Sequence, residues 1–246
     1  MADGTILAGA KLLFDAYDLS AWVSNLSTPI PVKLQPSDVL DSTAKDRNPG
    51  TQAPAWQASG FYDGASGGPE PVLWPARRTP GKVVTVAKSG ADGAVAYAMR
   101  GMAQFTPVQG GFGAMKGFGL AVVPSGGDGV VRGRIMTVGA KTADGAGTAR
   151  QLGAVASGQY LYAWLHVTTV AGAAPSVVFK VQSDNAEGFP SADESLTFPA
   201  ITAVGGYWAT KVPGPIPNDW YRFSWDLDTA GGNTTSITAV GGVAIL

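Results

Sequence analysis

Between Tyr160 and Val167 the chain alternates without a break. Tyr160, Tyr162, Trp164 and His166 point one way, and Leu161, Ala163, Leu165 and Val167 the other. A period of two puts successive side chains on opposite faces of a β-strand and cannot form the single apolar stripe of a helix. Val177, Phe179 and Val181 repeat the pattern against Val178, Lys180 and Gln182, as do Tyr221, Phe223, Trp225 and Leu227 against Arg222, Ser224 and Asp226. Weaker versions run through Trp56 to Phe61 and Arg132 to Thr137. Turn-forming residues separate these runs at 64–69, Gly126-Gly127-Asp128-Gly129, Ala171-Gly172, Gly205-Gly206 and Gly231-Gly232-Asn233. Many short strands at this spacing predict an all-β fold, an antiparallel sandwich or barrel.

One helix is expected, from Asp92 as N-cap to Ala103, with Val95, Met99 and Met102 on one face; a strand over Ala94 to Met99 competes with it. Two stretches read as long loops. Lys33 to Pro54 is polar, and Gly64 to Gly81 carries four prolines around Leu73-Trp74 and Arg77-Arg78. Loops of this length in a compact domain are usually functional. An apolar Leu73-Trp74 pair there calls for burial, in its own subunit or in a neighbour. No internal repeat or domain boundary stands out, so residues 1–246 read as a single domain.

Composition narrows the function. Charged residues make up 14%, against roughly 25% in average soluble domains, which suits a large core or surface hidden in an assembly. A net charge of −1 lacks the basic excess of a nucleic-acid grip. The absence of cysteine removes disulfides, thiolate chemistry and Cys-ligated metals. No run approaches the about 18 apolar residues of a membrane span, and Met1-Ala2-Asp3-Gly4 has no basic region of a secretory signal.

Catalytic patterns are equally sparse. His166 is the sole histidine; without a Gly-x-Ser-x-Gly elbow it reads as structural, and it rules out multi-His metal sites. Carboxylates cluster at Asp15/Asp18, at Asp184/Glu187 with Asp193/Glu194, and at Asp226/Asp228. These read as solvated loop acids, since a glycosidase pair needs a separation of about 5–10 Å that spacing cannot supply. Asp226-x-Asp228 lacks the later ligands of a calcium loop. Gly110-Gly111-x-Gly113 lacks the Lys-Ser/Thr ending of a phosphate cradle. Asn25-Leu26-Ser27 and Asn233-Thr234-Thr235 are chance-length glycosylation sequons. Trp208, Trp220 and Trp225 with Tyr207 and Tyr221 could stack on a sugar ring, although aromatics more often fill a β-core or an interface. No enzyme activity and no cofactor are expected.

The segment Tyr17-Asp18-Leu19-Ser20, Leu26-Ser27, Leu40-Asp41-Ser42-Thr43, Arg47, Pro49-Gly50 and Gly60-Phe61-Tyr62-Asp63 resembles tail tube and related tail proteins of long-tailed bacteriophages. In the second half, 152–167, 175–184, Leu196-Thr197-Phe198 and 220–225 carry the same likeness. The resemblance implies a β-sandwich or barrel that forms homohexameric rings. These stack into a virion tail tube, assembled in the host cytoplasm, with no catalysis and no membrane. DNA would pass through the lumen without specific binding, past a lining of acids and small polar groups. Tape measure and tail terminator proteins would be further partners. By the same resemblance Asp41, Ser42, Thr43, Arg47, Pro49 and Gly50 would make ring-stacking contacts. Leu73, Trp74, Arg77 and Arg78 form a possible inter-subunit loop. The chain is longer than a minimal tube subunit and 64–81 is insertion-like, which leaves room for a specialised tail part. The alternative is a carbohydrate-binding β-sandwich of a receptor-binding or other minor tail part.

Overall fold

A computed structural model describes residues 9–36, 47–172, 175–227 and 235–246. Among them are nineteen strands and one short helix, with antiparallel strand pairing, so the all-β expectation holds. Two compact units make up the chain. One comprises Met1–Ala21, Lys82–Ala98 and Val131–Leu246; the other comprises Trp22–Gly81 and Met99–Val130.

The first unit begins with β1 (Lys11–Phe14) and β2 (Tyr17–Asp18), a hairpin turned by Asp15-Ala16. The second contains β3 (Val23–Ser27), β4 (Val32–Pro36), β5 (Arg47–Gln52), β6 (Trp56–Phe61) and α1 (Pro69–Ala76). The chain then follows β7 (Lys82–Ala87), β8 (Val95–Gln109), β9 (Gly117–Pro124) and β10 (Val131–Lys141). Short strands β11 (Gly145–Ala146) and β12 (Arg150–Gln151) lead to β13 (Tyr160–Ala171), β14 (Val177–Asp184) and β15 (Asp193–Thr197). Four more close the chain: β16 (Gly205–Trp208), β17 (Val212–Pro213), β18 (Trp220–Leu227) and β19 (Ser236–Ile245).

In the first unit the strand order β16-β13-β19-β10-β8-β7-β1-β2 faces a smaller sheet, β11-β18-β14-β15. The apolar halves of the alternating runs meet between them. Leu161, Ala163, Leu165 and Val167 of β13 pack with Val177, Phe179 and Val181 of β14 and with Tyr221, Phe223 and Leu227 of β18. The other face of β13 is covered too, since Tyr162 and Trp164 pack with Val83, Ala96, Ala98, Val131 and Ile135. A strand paired on both edges and covered on both faces has no polar side, and Leu161 to Val167 are all buried. In β10 a register shift between Ile135 and Thr137 breaks the alternation. Ile135 joins one core and its neighbour Met136 the other, and past the shift Thr137 is buried as well.

The helix expected over Asp92 to Ala103 does not form; these residues enter β8. Residues 95–98 pair with Arg134 to Val131 of β10, and 101–109 pair with β9. Buried positions alternate as Ala96 and Ala98, then shift phase to Met99, Gly101 and Ala103. That phase change at 98/99 mimics helical spacing. The helix propensity of Ala and Met yields to ladder hydrogen bonds and burial that only distant strands supply. Asp92 caps nothing and instead pairs with Arg150 at 2.8 Å.

The two expected loops also contain regular structure. Within 33–54, β4 and β5 form a hairpin with Leu34 opposite Pro49 and Pro36 opposite Arg47. Within 64–81, α1 starts on Pro69 and buries Pro69, Val72, Leu73 and Ala76. Pro69 and Pro71 sit in the first helical turn, where a missing N–H has no intrahelical partner to lose. Read as loop punctuation, these prolines hid a helix.

In the second unit β3, β6, β9 and the later part of β8 form one antiparallel sheet. Trp56, Ala58, Ala103, Phe118, Leu120 and Val122 are buried along it. At Gly60 a Cβ would stand 1.8 Å from the backbone oxygen of Trp22, which already accepts the Phe61 N–H at 2.8 Å. Relieving that clash requires backbone movement, because no side chain can swing away. Gly60→Ala is expected to cost about 2 kcal/mol or more, read as a fall in the urea midpoint.

Candidate functional site

His166 is fully buried. Its Nδ1 lies 2.8 Å from the Asp15 carbonyl oxygen, and its Nε2 lies 2.7 Å from Thr85 Oγ1. A carbonyl can only accept, so Nδ1 carries the proton and Nε2 accepts from the threonine hydroxyl. Burial pushes the imidazole pKa down to about 4, despite opposing contributions from the Asp15 carbonyl and the Asp15 and Asp18 charges. Asp15, in the left-handed region at φ 54, ties several strands together. Its carboxylate accepts the Gly206 N–H at 2.9 Å and pairs with Lys82 at 2.5 Å. The histidine is therefore a structural tie between β13, β7 and the β1–β2 turn.

The acid clusters have structural partners as well. Asp184 accepts the N–H groups of Ala186 and Ser191, Asp193 receives Asn218, and Glu194 pairs with Lys180. Burial alone would raise the Asp18 pKa, but hydrogen bonds from Lys11 and Ser20 outweigh it and leave the pKa lowered. Asp226 is exposed, and Asp228 lies outside the described residues. Among the described residues no group of three His, Cys, Asp or Glu could hold a metal.

Four of the five C-terminal aromatics are engaged in packing within the first unit. Tyr221 is buried in the sandwich core, where burial raises its pKa to about 12. Trp225 packs on Phe179, with the Lys141 ammonium 4.5 Å from its ring centroid. Trp208 stacks on Trp164 at 6.0 Å, and Tyr207 donates to the Ala203 carbonyl. The Leu73-Trp74 pair divides: Leu73 is fully buried within its unit, while Trp74 stays 46% exposed. The Arg77 guanidinium covers that indole, 3.4 Å from the ring centroid, and Arg78 is exposed. Of the expected stacking residues, Asp41, Ser42 and Thr43 lie outside the described residues. Arg47, Pro49 and Gly50 belong to β5.

Two surface features of the second unit stand out. The first is the hairpin joining β8 to β9. At its tip Phe112 is 112% exposed and Met115 75%, with Val108 at 57% on the approach. Gly110 (φ 145) and Gly113 (φ 81) adopt conformations that side chains disfavour, and the Ala114 N–H closes the turn onto Gly111. Scattered exposed apolar residues are ordinary, but three at the end of a long hairpin form a patch that water solvates poorly. The signal in sequence was Phe and Met amid glycines, a stretch weighed above only as a phosphate cradle.

The second is a trough of about 320 Å³ on the sheet, lined by Gln57, Ser59 and their cross-strand neighbours. Cross-strand register builds it from two rows. Ser27, Gln57, Ala121 and Gln104 stand side by side in one. Asn25, Ser59, Gly119 and Thr106 form the other. The lining carries amides and hydroxyls and no charge. No single strand reveals it, because each supplies only alternate residues to the face.

No protein-family model matches the chain, and no curated protein matches it in sequence. Among solved structures it is similar to the Dit protein of SPP1, described as a paradigm of the hub adsorption apparatus in phages infecting Gram-positive hosts. The identity is 10% and the TM-score 0.38, over 96% of this chain and 99% of that one. A likeness of that degree assigns no function to this chain.

Proposed function

We propose that this chain is a non-enzymatic structural subunit of a long-tailed phage tail, most specifically a tube subunit that stacks in hexameric rings. The observation that carries this reading is the β8–β9 hairpin, whose Phe112 and Met115 are exposed beyond what an isolated subunit needs. An apolar hairpin tip inserts readily between neighbouring subunits, where its burial contributes association energy. The tail-protein resemblance at Tyr17 to Asp63 and in the second half points the same way. So does a net charge of −1, which lets many copies pack without strong self-repulsion. The second proposed contact is Arg47, Pro49 and Gly50 of β5, together with Asp41, Ser42 and Thr43 of the sequence between β4 and β5. Self-association, tape measure and terminator partners, and DNA passing through a lumen without specific binding belong to this proposal.

Negative-stain microscopy and size-exclusion chromatography test it. Wild-type protein is expected to form rings or tubes. Phe112→Ser with Met115→Ser is expected to reduce assembly at least tenfold with an unchanged melting temperature, because neither side chain is packed in the subunit. A wild type that stays monomeric at high concentration, or a double variant that assembles normally, overturns the reading.

A further inference from the structure

We propose that the trough on the β3–β6–β9–β8 sheet binds a neutral, hydroxyl-rich ligand, a short oligosaccharide. The amides of Asn25, Gln57 and Gln104 and the Thr106 hydroxyl line it from opposite sides, and among the described residues none of them has a hydrogen-bond partner. A side-chain amide offers a donor and an acceptor together, as a sugar hydroxyl does, so an array of amides matches an array of hydroxyls. The lining contains no Lys or Arg to meet a phosphate or carboxylate and no acid to meet a cation. It also lacks the apolar centre that a stable contact with a second copy of the chain needs.

At Gly119 a Cβ would stand 2.7 Å from the Gln109 Nε2, so the Gln109 amide lies across the glycine and adds a fourth amide to the lining. Phe61 follows Gln57 and Ser59 at period two in β6 and is 48% exposed. It lies outside the trough lining, beyond Ser59 on the same strand, and offers an apolar platform of the kind the C–H face of a pyranose packs against. With about 3.4 Å rise per residue, Gln57 and Phe61 lie about 14 Å apart. That span suits several linked sugars better than one, and the volume falls within the range of small-molecule sites.

Side-chain amide signals in ¹H–¹⁵N spectra of the whole protein provide the readout, titrated separately with maltohexaose, xylohexaose and chitotetraose, and with oligogalacturonate as the charged control. At least one neutral oligosaccharide is expected to shift the Gln57 and Gln104 signals saturably, and oligogalacturonate is expected to leave them in place. Gly119→Leu, which fills the floor, is expected to weaken binding at least tenfold. Gln57→Ala with Gln104→Ala, two exposed positions whose loss spares the fold, is expected to do the same. Phe61→Ala is expected to weaken it about fivefold. The proposal is overturned if no neutral oligosaccharide moves these signals, or if the Gln57/Gln104 variant binds as wild type does. Shifts that depend on protein concentration alone overturn it in favour of a contact between copies.

Discussion

Trp164→Ala is expected to destabilise the protein by about 3–5 kcal/mol, the range for removing a large aromatic from a core. Trp164 is fully buried, and its ring stacks on Trp208 with 20° between the planes. The far side of the indole lies against Gly242, where a Cβ would come within 2.4 Å of it. A glycine cannot move a side chain into the space left behind, so the cavity stays open and the cost falls at the high end. Trp164→Phe is expected to be much milder. It keeps most of the volume, and the indole Nε1 it removes has no hydrogen-bond partner among the described residues. Trp74 is the control. It is 46% exposed and held mainly by Arg77, so Trp74→Ala should stay within about 0.5 kcal/mol. Urea unfolding ranks the three, and a Trp164→Ala cost no larger than that of Trp74→Ala would contradict this account of the core.

Acid is expected to remove about 3 kcal/mol through His166 alone, given a pKa of about 4 in the folded chain against about 6.5 when exposed. The sign follows from which state holds more protons. Between these two values the unfolded chain binds a proton at His166 that the folded chain does not, so stability rises with pH there. The contribution is whole above pH 6.5, falls as pH drops through the window, and is gone below pH 4. Protonation would place a charge in a fully buried site and turn Nε2 from an acceptor into a donor facing Thr85 Oγ1. His166→Gln keeps an amide donor for the Asp15 carbonyl and an acceptor for Thr85 but cannot titrate. Urea unfolding at pH 7 and pH 4.5 should show a steeper loss for wild type than for the variant. Equal losses would mean that other groups carry the acid sensitivity.

Much of the strand content was legible in the sequence. Trp56 to Phe61, Tyr160 to Val167, Val177 to Gln182 and Tyr221 to Leu227 all lie in strands, because a period of two is a local property. The helix expected at Asp92 to Ala103 failed where locality ends. The phase change at Ala98-Met99 imitates helical spacing, and pairing with β9 and β10 decided the outcome. The prolines of Gly64 to Gly81 misled for a different reason, since the same residue marks both a turn and the first turn of a helix.

The sites were less legible than the fold. His166 was read as structural from its solitude, whereas its partners Asp15 and Thr85 come from elsewhere in the chain. Among the C-terminal aromatics Tyr207, Tyr221 and Trp225 pack in or against one core and Trp208 against the other, a division their closeness in sequence does not show. Phe112 and Met115 carried no periodic signal, and only the hairpin shows that nothing among the described residues of their own unit covers them.

By itself the sequence determined that this is an all-β chain without cysteine, with one histidine and sparse charge. Those are properties of composition and of neighbours along the chain. The tertiary structure alone decided that β13 is buried on both faces, that Phe112 and Met115 stand clear, and that amides from three strands line one trough. Burial and cross-strand register arise from contacts between residues far apart in the chain. A one-residue slip in register would send every side chain of a strand to the opposite face.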